Sequence, residues 1–304
     1  MQLKNKTILL TGGRGFVGGA VFAQLKVVGV SESDIRVYDR AMGDLREEGA
    51  CREAVKGIHT IVHLAGVTGG IHFHRENAES IYEDNLTMGL NLLSAAHAAG
   101  VEKFLMAGSL MEYGMSAPIP FREETLWDGE PRPAHAAYAR AKREILKEAT
   151  RRRHEGLQSA HLLLASMYGP GEKDDFVIPK FIKKIMTAKK ENVPQITERG
   201  TGASTRDFLF VKDAAEAIVM AADSYDADEP LNIASGKETS IKELATTIGR
   251  LVGYEGKIVF DGSSEKSERI VANITCAKEW GWSPQVDLRE GLRSTIKWHI
   301  AQQI

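Results

Sequence analysis

Cysteine is nearly absent. Cys51 and Cys276 are the only two in 304 residues, too far apart for a CxxC or zinc spacing. A disulfide scaffold is therefore excluded, and two reduced thiols in a cytoplasmic protein are expected. No charge of one sign dominates: 39 Lys+Arg against 41 Asp+Glu leave −2, too little basic field for a nucleic-acid partner. Long hydrophobic runs are missing too. The apolar run at residues 8–10 ends in glycines, which is no secretory signal, and nothing approaches the roughly 18 apolar residues of a spanning helix. Repeats and low-complexity tracts are lacking. His72 and His74 have no third ligand at a convincing spacing, so no metal is expected. What is present is an ordinary globular balance, 43% hydrophobic and 26% charged, at a length suited to one large or two intimate domains.

The first half alternates strand and helix signals. Strands are expected at residues 7–10, 34–38, 60–64, 103–107 and 161–165, and helices at 16–28, 81–99 and 136–153. Gly100 fits the C-cap of the second helix. This alternation predicts an α/β fold with a doubly wound parallel sheet of Rossmann type, covered on both faces. The second half is less regular. Helices are expected at 177–189, 214–222 and 240–252, and extended segments at 207–211, 231–234 and 257–260. They predict a smaller C-terminal α/β substrate domain. Residues 207–236 are expected to return to the main sheet. The division is then 1–168 plus 207–236 for the dinucleotide domain, and 169–206 plus 237–304 for the substrate domain.

Gly12, Gly15 and Gly18 form GxxGxxG between the first strand and first helix. One glycine permits the tight turn, one lets backbone approach a pyrophosphate, and one packs helix on strand. The helix start, with Phe16 and Val17, then presents free N–H groups to phosphate. Asp39 ends the second strand at the distance beyond Gly18 that suits an acid on the adenosine ribose. That acid repels a 2′-phosphate and favours NAD. Arg14 and Arg40 pull towards NADP, since either could pair with that phosphate, and NADP stays open.

Tyr138 and Lys142 lie four apart on a predicted helix, hence on one face. A phenol near pKa 10 is a poor base, and a neighbouring ammonium is expected to lower that value. The pair then serves as an acid–base unit for a hydroxyl or carbonyl. Ser109 follows the strand KFLMAG, at the carboxyl end where open α/β sheets bind ligands. His135 reads as exposed loop.

Taken together, TGGRGFVG at residues 11–18, Asp39, GDL at 43–45, VHLAG at 62–66, Asn85, Gly108-Ser109, YxxxK and YGPG at 168–171 resemble the extended short-chain dehydrogenases/reductases, the NAD-dependent epimerase/dehydratase family. RDFLFV at 206–211 and LNIASG at 231–236 extend the resemblance over nearly the whole chain. Thr68-Gly69-Gly70-Ile71, Trp127-Asp128-Gly129 and Phe176-Val177-Ile178-Pro179 are similar to the branch containing GDP-fucose synthase. The resemblance implies a nucleotide-sugar substrate. Tyr138 would be the acid/base, Lys142 would hold the nicotinamide ribose, and Ser109 would bind the reacting oxygen. It also implies a cofactor groove that includes Asp44, Leu45, Leu64, Ala65, Gly66 and Asn85. Arg206 and Arg269 would hold the substrate phosphates, with Met111, Ser166, Phe176 and Lys180 lining the substrate site. Helices 81–99 and 136–153 would form a four-helix homodimer interface.

Departures from the family pattern narrow the chemistry. The cysteine and histidine that epimerise carbons beside the ketone are Met111 and Phe176 here, and neither side chain transfers protons. The Asp-Glu pair of the 4,6-dehydratases is Leu110-Met111, with Glu112 one step out of register, which on a strand faces the wrong way. An Asn before the Tyr-Gly-Pro motif is Ser166, and Ile270 and Asn273 replace an Arg and an Asp near Arg269. Hydride transfer at C4 survives. A 4-epimerase is expected ahead of a 4-ketoreductase, because Asp39 favours NAD and an epimerase recycles it. A dinucleotide sensor on the same fold is the non-enzyme alternative; it has no need of Tyr138, Lys142 and Ser109.

Overall fold

The computed structural model describes residues 2–263 and 267–302. The first half runs β1 (Ile8–Thr11), α1 (Phe16–Val27), β2 (Ile35–Tyr38), α2 (Glu48–Ala54), β3 (Thr60–His63), α3 (Ile71–Glu76), α4 (Ala78–Ala98), β4 (Lys103–Ser109), α5 (Ala136–Arg153) and β5 (Gln158–Leu164). It continues with β6 (Ser166–Tyr168), α6 (Val177–Lys190), β7 (Gln195–Glu198), β8 (Thr205–Phe210), α7 (Val211–Ser224), β9 (Leu231–Ile233), β10 (Glu238–Ser240), α8 (Ile241–Val252), β11 (Lys257–Phe260), α9 (Thr275–Glu279) and α10 (Leu288–Ala301).

Six strands form one parallel sheet in the order β2-β1-β3-β4-β5-β9. β1 and β3 are buried at every position, because helices cover both faces of the sheet. α1 packs against α7, and α4 lies along α5. The α4–α5 approach is close at Gly89, where a Cβ would sit 2.4 Å from Cδ1 of Ile145. The order reverses between β1 and β3, so their carboxyl ends open the crevice in which such folds bind ligands.

A second lobe stands over those ends. It has a three-stranded sheet, β10-β8-β6, and a parallel pair, β11-β7. α6, α8 and α10 close over a separate core that includes Ile182, Ile185, Leu244, Ile248, Leu292 and Ile296. Residues 207–236 therefore return to the main sheet only through β9. β8 pairs with β6 and β10 instead. β9 is fastened by the buried Asn232. Its backbone N donates to Glu123, its side-chain amide donates to the Phe121 and Asn273 carbonyls, and its Oδ1 accepts from the Tyr113 hydroxyl. No helix among the described residues is long and apolar enough to cross a membrane.

Candidate active site

The glycine turn is built as a cradle. Gly12 has a positive φ of 68°, and a Cβ there would meet Ala65 N at 2.8 Å. A Cβ on Gly18 would lie 2.1 Å from the Gly12 carbonyl oxygen, so α1 starts hard against the turn. Gly15, the N-cap, has only the Gly12 oxygen near its missing Cβ, at 3.1 Å, and faces open space. Phe16, Val17 and Gly18 at the start of α1 line the cleft with it. Backbone can approach there, N–H groups point outward, and the positive helix end favours phosphate. These residues fit a dinucleotide pyrophosphate.

Beside the cradle, where the sequence placed the adenosine, is a cavity of about 380 Å³ lined by Arg14, Asp39, Arg40, Asp44, Leu45, Leu64, Ala65 and Gly66. Asn85 supports it from α4 by clamping Val67, donating to its carbonyl and accepting from its N–H, both at 2.9 Å. Asp39 is not a bare anion: Arg14 Nε lies 2.8 Å from its Oδ2. Arg40 sits 3.6 Å from Asp44, and Arg46 pairs with Asp44 and Asp84. Arg14, Arg40 and Arg46 thus offset Asp39, Asp44 and Asp84 around one cavity. The expectation that Asp39 repels a 2′-phosphate fails on this pairing, since a neutralised carboxylate repels little.

The main cleft, about 1410 Å³, lies between the lobes. Ser109, Met111, Tyr138, Ser166, Phe176, Lys180 and Arg206 all line it. Lys142 is buried one helical turn beyond Tyr138, its Nζ 5.6 Å from the ring centre. Arg206 pairs with Glu268 at 2.7 Å, and Glu268 also holds Arg132 at 3.0 Å. Arg269 does not line the cleft. Its guanidinium turns to Glu238, 2.7 Å from both carboxylate oxygens, and is more than half exposed. A phosphate role for Arg269 thus lacks geometric support, because Glu238 on β10 already occupies its fork.

Burial reverses one expected shift. The Tyr138 phenol is pushed above its usual range, first by desolvation and then by the Glu112 carboxylate. The expected lowering by Lys142 does not appear, because desolvation of the phenol outweighs it; Lys142 is also pulled down, to about 8, by desolvation. At neutral pH, Tyr138 therefore keeps its proton, and it lines the cleft that Ser109 also lines.

Sequence reasoning missed two cleft residues, His135 and Glu172. His135 is not exposed loop. The turn before α5 brings its ring within 4.8 Å of His74, edge to face, and His74 in turn meets Tyr138 at 5.9 Å. Burial lowers both imidazoles, His135 to about 4, so they are neutral hydrogen-bonding rings. His74 lies on α3 and His135 before α5, with all of α4 and β4 between them, and no local signal links the two. Glu172 also lines the cleft, with its carboxyl pushed up to about 9, first by burial and then by Asp175. Among the described residues no group of three His, Cys, Asp or Glu side chains is placed to hold a metal.

Residues 8–234 match the NAD dependent epimerase/dehydratase family. A GDP-L-fucose synthase of Sinorhizobium fredii is 33% identical over 311 residues, spanning 97% of this chain and 96% of its own. A probable GDP-L-fucose synthase 1 of Oryza sativa subsp. japonica is 31% identical over 309 residues, 99% of this chain and 94% of its own. Among solved structures, a GDP-mannoheptose C4 reductase from Campylobacter jejuni with NADP bound superposes with a TM-score of 0.88 at 22% identity, covering 98% of this chain and 99% of that one. At that identity the likeness is one of fold.

Proposed function

Because the chain belongs to the NAD dependent epimerase/dehydratase family, we propose that this enzyme is an NADPH-dependent reductase of a 4-keto GDP-sugar. What carries the reading is the likeness, over nearly the whole chain, to relatives named GDP-L-fucose synthases, with Tyr138 and Ser109 lining one cleft. A ketone reduction needs an acid at the developing alkoxide, and a protonated Tyr138 supplies it. The names of the relatives favour the reductase over the epimerase that the sequence put first.

NADPH, when bound in the glycine cradle, supplies the hydride. Ser109 Oγ already accepts the Met111 N–H at 3.1 Å, so its own hydrogen is free to donate to the sugar carbonyl. Tyr138 gives the proton. Lys142 holds its charge below about pH 8 and stabilises the phenolate left behind. Arg206, which lines the cleft, is the guanidinium assigned to the diphosphate. Met111 and Phe176 hold no transferable proton, so the product differs from substrate at C4 alone.

The test is NADPH consumption with GDP-4-keto-6-deoxymannose, the product's C4 configuration being read by NMR. No oxidation of NADPH, together with interconversion of 4-hydroxy sugars on endogenous NAD, restores the epimerase. Arg14 supplies a second prediction. Arg14→Ala is expected to weaken NADPH roughly 10- to 100-fold and NADH less than about threefold in fluorescence titration, one charge-assisted contact being worth about 1.5–3 kcal/mol. Equal losses for both cofactors remove the 2′-phosphate assignment. Pairing of two copies through α4 and α5 belongs to the same proposal, with the mass in solution by light scattering as its check.

A further inference from the structure

We propose that Glu112 is a positioning residue for this reduction: seated against His161 beneath the cleft, its carboxylate fixes the backbone that carries Ser109 and sets the field at Tyr138 and Lys142. The inference deepens the reductase reading and rests on it.

β4 ends at Ser109, and residues 110–112 turn as one short 3₁₀ helix. Ser109 and Glu112 close a capping box across it. The Ser109 N–H donates to Glu112 Oε1 at 2.7 Å, while Ser109 Oγ accepts from Met111. A strand would turn Glu112 the wrong way; this turn instead points it inward, where it is fully buried. Its other oxygen meets Nε2 of buried His161, on β5, at 2.9 Å. A Cβ on Gly108 would fall 2.2 Å from that nitrogen and 2.6 Å from Glu112 Oε1, so the glycine leaves room for the pair.

His161 Nδ1 has no hydrogen-bond partner among the described residues. A proton on Nε2, donated to Glu112, closes the pair. From α5 it is faced by Tyr138, Lys142 and Arg143. The Arg143 guanidinium bonds the backbone carbonyls of Glu112, Leu126 and Gly129, and its charge offsets part of the carboxylate's. The Glu112 charge favours protonation of both Tyr138 and Lys142. It keeps the phenol an acid and the amine an ammonium through the neutral range, and it holds Ser109 with its O–H free.

Glu112→Gln keeps the size and the acceptor for the Ser109 N–H, turns a donor towards His161, whose other tautomer accepts it, and removes the charge. With [ε-13C]lysine-labelled protein, and the Lys142 peak identified by its loss in Lys142→Met, the Lys142 titration midpoint is expected to fall by roughly half a pH unit or more. The alkaline limb of kcat for NADPH-dependent reduction is expected to move down with it, and KM to stay within about threefold. A Lys142 midpoint equal to wild type overturns the proposal, as does a rate that drops by one factor at every pH. Should Glu112→Gln not fold, Glu112→Met, neutral and of similar length, reads the same shift. If no keto sugar is reduced by the wild type, the reductase reading falls while the Lys142 titration still decides the field.

Discussion

A Tyr138→Phe enzyme is expected to bind NADPH as wild type does and to lose about 10²- to 10⁴-fold in kcat, the usual worth of a positioned proton donor. The substitution removes one oxygen from a half-buried ring, so its packing against His74 persists. Ser109 still binds the carbonyl and Lys142 stays charged, but neither replaces the proton. KM is expected to change little, because the phenol is needed at the alkoxide and not at the ketone. Stopped-flow absorbance at the NADPH band, with substrate saturating, gives kcat directly. Turnover within about threefold of wild type transfers the acid role to another group in the cleft, and His135 and His74 are the nearest.

Gly18→Val is expected to abolish useful cofactor binding, raising the NADPH Kd by more than about 100-fold and lowering Tm by roughly 2–10 °C. The atoms that a Cβ meets are all backbone: Gly12 O at 2.1 Å, Gly13 Cα at 2.6 Å and Gly12 C at 2.8 Å. Backbone of a tight turn cannot step aside as a side chain does, so α1 must lift off the turn and its N–H groups leave the phosphates. Gly19 provides the internal control. It is the next residue of the same helix, it is exposed, and a Cβ added there would meet nothing within 4 Å. Gly19→Ala is expected to stabilise by about 0.5–1 kcal/mol through helix propensity alone. Calorimetry and NADPH fluorescence on the two variants separate steric loss from a general intolerance of the helix start.

Much of the cofactor half was legible because its physics is local. Strand, glycine turn and helix are contiguous, β1 and β3 are short apolar runs bounded by turn residues, and the spacing of apolar residues reads out in α5. The substrate lobe was less so. β7 is four residues with one buried side chain, Ile196, and too little alternation to read. α10 buries Gly291, Leu292, Thr295, Ile296 and His299, so small and polar residues stand where an apolar stripe is sought. The states of the site residues depend on contacts between separate elements. Arg14, before α1, neutralises Asp39, after β2, and desolvation outweighs the ammonium next to Tyr138. Spacing alone carries the identity of such groups, but not the sign of their shifts.

β9 has a consequence for how the chain emerges from a ribosome. The sheet edge beside β5 stays open until residues 231–233 have been made, after the whole excursion through β6, α6, β7 and β8. Asn232 then needs Asn273 as a partner, so the seam closes only after residue 273 has been made. A nascent chain halted at Tyr168 therefore shows a bare parallel strand, and unpaired edges of that kind recruit other chains. A fragment cut off after Tyr168 should collect in inclusion bodies, whereas the full chain closes its own seam.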